Sequence, residues 1–199
     1  MRLHRVLIIG LRQALAEALF GDKYADKVIE KELKANKKWG SKDRAFVAES
    51  FYDIIRWKRK LAFYMGEDIR KNNLYNLIAT YLVLNKWEIP GFDEFKGIDF
   101  RKIEERLDLK IDNPAVEHSV PDWLYELVQK NYPKQVDEIF TALNEQAQVY
   151  IRVNTLKTTT EDLITALATD GVEVERIEGR DDALVLVERK NVFRTNAFQ

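Results

Sequence analysis

The sequence predicts an α+β fold in which a mainly helical bundle is followed by a small β-α-β-β segment. Three observations carry this. Apolar residues recur at helical spacing through the first half of the chain. A stretch with two prolines and no period, "KIDNPAVEHSVPDW" (110–123), interrupts that pattern. Beyond it, "QVYIRVN" (148–154) and "VEVERI" (172–177) alternate as half-buried strands do.

Taken in order, residues 2–20 place Val6, Ile9, Leu15 and Leu19 close to helical spacing, and Gly21 ends that run. A polar second helix follows over about 22–37, and Ser41 can cap a third. On that third helix Val47, Ala48, Phe51, Ile54, Ile55, Leu61 and Ala62 share one side, while Lys42, Glu49, Asp53, Arg56 and Lys60 take the wet side. A fourth helix is expected over 67–87, with Leu74, Leu77, Ile78, Tyr81 and Leu82 as its buried stripe. "EIPGFDEFKG" (88–97) reads as a connection, and a short helix near 99–109 closes the bundle. The first domain is therefore expected to span 1–112 and the second 113–199.

In the second domain, Ser119 as cap and Pro121 in the first turn open a helix over 121–131. Pro133 separates it from another over 134–146. After the strand at 148–154, Thr158 and Glu161 form a capping box for a helix at 159–169, which "DG" (170–171) ends. "EGRDD" then turns the chain from the strand at 172–177 into a last strand at 183–188. The order is that of a partial RNA-recognition-motif or ferredoxin-like layout, which implies no function by itself.

The chemistry is marked by what is missing. The sequence has no cysteine, which excludes disulfides, thiolate metal sites and a thiol nucleophile within these residues. His4 and His118 stand apart without a nucleophile or ligand cluster, and no glycine-rich phosphate loop follows a strand. Catalytic, cofactor and metal residues are therefore expected to be none. The apolar start is broken by Arg5, Arg12 and Glu17, so a cytoplasmic protein without a membrane span is expected.

The positive signals concern binding. Residues 1–60 hold 15 Lys and Arg against 8 Asp and Glu, whereas 114–199 hold 9 against 15. A polyanion would meet the basic front. "KELKANKKWGSKDR" (31–44) brings Lys37, Lys38, Lys42 and Arg44 beside Trp39, and "RWKRK" (56–60) adds Arg56, Lys58, Arg59 and Lys60 beside Trp57. Cations hold phosphates, and an exposed aromatic can stack on a base, though Trp57 suits a core equally well. A snorkelled structural role also fits Arg44. Arg152 and Asn154 alternate to one face of their strand, either a wet face or a contact surface.

Two stretches look familiar. "SKDRAFVAESFYDIIRWKRKL" (41–61) resembles a helix of NusB-like RNA-binding domains. Residues 118–174 are similar to the segment preceding the catalytic domain in the NOL/NOP/Sun family of RNA cytosine-C5 methyltransferases. The matching marks are Pro121-Asp122-Trp123-Leu124, Leu143-Asn144, and Arg152-Val153-Asn154-Thr155-Leu156-Lys157. The resemblance implies a parent enzyme, Sun-like, that moves a methyl group from S-adenosylmethionine to carbon 5 of a cytosine in 16S ribosomal RNA. It places two working cysteines and the cofactor on a Rossmann-like domain expected after residue 199. Ribosomal RNA and that catalytic domain are the implied partners of what is expected to be a monomer. Lys37, Lys38, Lys42, Arg44, Arg56, Lys58, Arg59, Lys60, Arg152 and Asn154 are the candidate RNA contacts, with Arg152 and Asn154 open to domain packing instead. The alternatives are a free-standing NusB-like RNA-binding module in transcription antitermination or ribosome assembly, and a purely structural module whose basic face is only solvated.

Overall fold

The computed structural model describes residues 3–198. The chain divides into two compact units, Met1–Leu143 and Asn144–Gln199. That division falls later than the change of sequence pattern at 112/113, because the helices after the prolines lie within the first unit.

The first unit begins with α1 (Arg5–Phe20), which buries Leu7, Ile8, Leu11, Ala14 and Leu15. The stripe read at Val6, Ile9, Leu15 and Leu19 is thus turned from the true one, and Val6 is 57% exposed. The cause is that α1 packs against three helices rather than one: α2 (Ala25–Ala35), α3 (Ser41–Arg56) and α5 (Leu74–Leu84). The expected helix start at Arg2 lies outside the described residues. A sequence stretch read as one helix over 41–61 is two, α3 and α4 (Lys58–Met65), broken at Trp57, which closes one and opens the other.

The fourth expected helix starts later than residue 67. Asn73 is buried; its Oδ1 accepts from the Arg70 N–H at 2.8 Å and its Nδ2 donates to the Asp68 carbonyl at 2.8 Å. These local bonds offer the backbone an alternative to helix. From Leu74 to Leu82 α5 is apolar and buried almost all round, as a central helix is. The short helix α6 (Phe100–Leu107) completes the bundle, capped by Asp99, whose carboxylate accepts from the Lys102 N–H at 3.2 Å.

Helices α7 (Pro114–Glu117), α8 (Asp122–Asn131) and α9 (Val136–Asn144) follow, with their own apolar cluster of Ala115, Tyr125, Val136 and Phe140. The expected cap is displaced. Pro121, not Ser119, precedes the first turn of α8, and Ser119 adopts φ +55° with its hydroxyl accepting from the Arg59 N–H at 3.1 Å.

In the second unit, β1 (Tyr150–Arg152), α10 (Thr160–Thr169), β2 (Val174–Ile177) and β3 (Arg180–Leu186) give the predicted order. The sheet runs β1-β3-β2 and is antiparallel at both pairings, with Tyr150 opposite Val185 and Val174 opposite Leu186. β3 starts three residues before the expected Ala183, since Glu178-Gly179 is the whole turn, Gly179 taking φ +73°. The helix cap is Thr159 rather than Thr158, its hydroxyl accepting from the Asp162 N–H at 3.1 Å. Val153, Leu167, Val172, Leu184, Leu186 and Val192 form the core.

Candidate nucleic-acid interface

The first basic run lies on the end of α2, the α2–α3 turn and the start of α3. Lys37, Lys38 and Lys42 are exposed there and make no ion pair among the described residues. The other lysines of this region are neutralised. Lys23 and Lys31 hold Glu17 at 2.7 and 2.9 Å, and Lys27 and Lys34 hold Glu30 at 3.8 and 2.5 Å. The hydrogen bonds from Lys23 and then Lys31 keep the Glu17 carboxyl below the usual carboxylate range, and Lys34 does the same for Glu30. Trp39 is no stacking platform. It is a core residue, 9% exposed, seated so tightly on α1 that a Cβ at Gly10 would lie 2.5 Å from its ring.

Arg44 and the arginines of the second run bond to the protein's own carbonyl and carboxylate groups. Arg44 Nη1 donates to the Leu33 carbonyl in the last turn of α2 at 2.8 Å, and Arg56 Nη1 donates to the Leu143 carbonyl near the end of α9 at 3.2 Å. The final carbonyls of a helix have no partner within it, so a guanidinium placed there both bonds and complements the helix dipole. Arg106 closes α4 the same way, donating to the Phe63 and Tyr64 carbonyls at 2.7 and 3.0 Å. Arg59 is the most committed. Its guanidinium donates to the Val120 carbonyl and to both Asp122 oxygens, at 2.9 and 3.0 Å for the latter. This pairing, led by the hydrogen bond, holds the Asp122 carboxyl below its ordinary value. Lys60 rests over the Trp57 ring at 5.5 Å, and Trp57 itself packs against the core. Lys58 is the member of this run left exposed and unpaired among the described residues.

In the second unit Arg152 Nε donates to Asp182 at 3.1 Å, and Asn154 Oδ1 accepts from the Leu156 N–H at 3.2 Å. The two residues rim one cleft of about 540 Å³ together with Lys157, over a floor that includes Leu163, Leu167 and Phe198. The sequence reading missed that floor. Leu163 and Leu167 are one helical turn apart and pointed to it, whereas Phe198 comes from beyond the last strand. His118 stacks on Tyr125 and lies 3.2 Å from Asp137, inside the α7–α9 cluster. No group of three or more His, Asp and Glu able to hold a metal occurs among the described residues, nor is any of their helices long and apolar enough to cross a membrane.

A helical bundle followed by a β1-β3-β2 sheet with one crossing helix defines the class, an α-helical module joined to a ferredoxin-like one. Residues 120–193 match the RsmF/B-like methyltransferase ferredoxin-like domain, a stretch that overlaps the Sun-like marks at 118–174. It is 30% identical over 114 residues to Ribosomal RNA small subunit methyltransferase B of Serratia proteamaculans (strain 568), covering 57% of this chain and 27% of that protein. To the protein of the same name from Photorhabdus laumondii subsp. laumondii it is 30% identical over 63 residues, covering 32% of this chain and 15% of the relative. The crystal structure of PH0851 shares the fold over 100% of this chain and 52% of its own, with a TM-score of 0.62 at 20% identity. The chain thus spans about a quarter of the first curated relative.

Proposed function

We propose that these residues are the RNA-recognition portion of an S-adenosylmethionine-dependent 16S ribosomal RNA (cytosine-C5) methyltransferase whose reacting groups lie outside the sequence. The ferredoxin-like match at 120–193, taken with the similarity to proteins named as small-subunit ribosomal RNA methyltransferases, is the observation that carries this reading. The residues present do not fit the cofactor. A three-stranded antiparallel sheet has no glycine-rich turn from a parallel strand into a helix, where a nucleotide-like group would sit. No step of methyl transfer is therefore assigned to them.

Their work is positioning. Phosphate contacts fix the register of a protein on its nucleic acid without touching the target base. That leaves a separate centre to unstack the cytosine and act on it. The exposed Lys37, Lys38, Lys42 and Lys58 are suited to such contacts, whereas Arg44, Arg56 and Arg59 support the fold beneath them. We assign Arg152 and Asn154 to packing against another domain. Residues 144–199 hold 7 Lys and Arg against 10 Asp and Glu, Arg152 already has an acidic partner, and the adjoining cleft has an apolar floor.

The test is a titration of the chain with fragments of small-subunit ribosomal RNA at two salt concentrations. Binding that weakens steeply with salt is expected, with no methyl transfer to the RNA when S-adenosylmethionine is added. Salt-independent binding, or none, would sink the reading.

A further inference from the structure

We propose that the cleft beside the α2–α3 turn holds an unpaired nucleotide of a single-stranded RNA segment, its phosphates on Lys37 and Lys38 and its base against Asn36. This deepens the RNA-binding reading above and rests on it. The cleft measures about 470 Å³ and is bordered by His4, Val6, Asn36, Lys37, Lys38 and Trp39. Asp43 also reaches it, with its carboxylate engaged by the Gly40 N–H at 3.2 Å. Because Glu17 and Glu30 neutralise the lysines further back along α2, the free positive charge of this region is concentrated at the cleft.

Asn36 is the group that could read a base. Its Nδ2 donates to the Glu32 carbonyl at 2.9 Å and to the Glu32 carboxylate at 2.8 Å, which fixes the plane of the amide. Its Oδ1 meets no donor among the described residues, so it is an oriented acceptor. An exocyclic amine, as on cytosine or adenine, satisfies such an acceptor; the carbonyl of uracil at the same position does not. Exposed Val6, with the almost fully buried Trp39 behind it, offers an apolar wall to the ring, and His4 adds a ring nitrogen at the rim. A base paired in a helix cannot enter, so single strands are selected over duplex.

The experiment measures fluorescence anisotropy of short labelled oligoribonucleotides, cytosine-containing, uracil-only and duplex, at about 50 and 200 mM salt. The single-stranded cytosine-containing probe is expected to bind several-fold more tightly than the duplex. The double variant Lys37→Ala/Lys38→Ala should lose about tenfold in affinity and flatten the salt slope by roughly 0.7 per contact. Asn36→Ala should abolish the preference for cytosine over uracil while leaving the salt slope intact. Circular dichroism confirms the fold of each variant, and Arg56→Ala serves as a control that leaves affinity unchanged. If the wild-type chain binds no RNA, the functional reading fails with the inference. If it binds RNA but duplex equals single strand, or the lysine pair is silent, the cleft alone is overturned.

Discussion

Residues 31–44 and 56–60 are both basic runs beside a tryptophan, yet the fold uses them differently. In the first, the arginine closes the end of α2 and the lysines at the turn stay in water. In the second, both arginines reach across to the proline-bearing stretch or beyond it, Arg59 to Val120 and Asp122 and Arg56 to Leu143. The contrast follows from chemistry. A guanidinium carries several donors in a rigid plane and is weakly hydrated, so it meets carbonyl groups well; an ammonium is a strongly hydrated point charge that prefers solvent. A run of positive charge is therefore informative about polyanion binding only after its arginines have been accounted for.

The largest test of this contrast is Arg59→Ala. It removes the bond to the Val120 carbonyl and unpairs Asp122, and should cost about 1.5–3 kcal/mol in denaturant unfolding, with RNA affinity unchanged. Arg59→Lys keeps the charge and loses the fork, so it should recover little of the stability. A variant that instead weakened RNA binding at full stability would reverse the assignment. Next comes Gly10→Ala, which tests the other run from below. The added methyl meets the Trp39 ring at 2.5 Å and the Glu32 carboxylate at 2.9 Å. An overpacking loss of about 1–3 kcal/mol is expected, with a shift in tryptophan emission. Because Trp39 and Asn36 both border the cleft, RNA affinity should fall as well.

Much of this architecture was legible in the sequence, and the failures have physical causes. The helical bundle and the β-α-β-β order could be read because period alone separates 3.6 from 2. The rotation of the α1 stripe could not, since a helix packed on three neighbours buries a broad face and its densest side is set by partners distant in sequence. Trp39 could not be placed either, because its burial depends on Gly10 lacking a side chain. The lysines at 37, 38 and 42 were visible as candidates, but the roles of Arg44, Arg56 and Arg59 depend on carbonyls at Leu33, Leu143 and Val120, and main-chain acceptors leave no mark in a sequence. The position of Phe198 on the Arg152 cleft is likewise a matter of chain path.

A smaller effect concerns the support beneath the first unit at high pH. The Tyr81 hydroxyl donates to Asp53 at 3.1 Å, and burial first, then the nearby carboxylates, pushes its ionisation up to about 12 from an ordinary 10.0. The folded value is raised, so the neutral phenol's contribution is complete below pH 10 and is lost as pH rises from there through about 12. Urea unfolding midpoints should drop over that window in the wild type and flatten in Tyr81→Phe. An equal drop in both would show that other groups govern alkaline stability.

The smallest change in stability, and the sharpest probe of the comparison, is Glu17→Gln combined with Glu30→Gln. Glu30 is exposed and Glu17 half-buried, each paired with lysines that stand in water, and such surface pairs contribute little to folding, so unfolding should stay close to wild type. What changes is the charge offered to RNA. Lys23, Lys27, Lys31 and Lys34 are released, extending the free positive surface back from the cleft along α2. Affinity should rise and the salt dependence steepen, the opposite of the change expected for Lys37→Ala/Lys38→Ala. Acidification of the wild-type protein should leave this masking in place until pH falls below the usual carboxylate range, since both folded values are depressed. If releasing these lysines leaves RNA affinity where it was, the contrast between masked and free cations has no bearing on binding, and the basic front is a solvated surface.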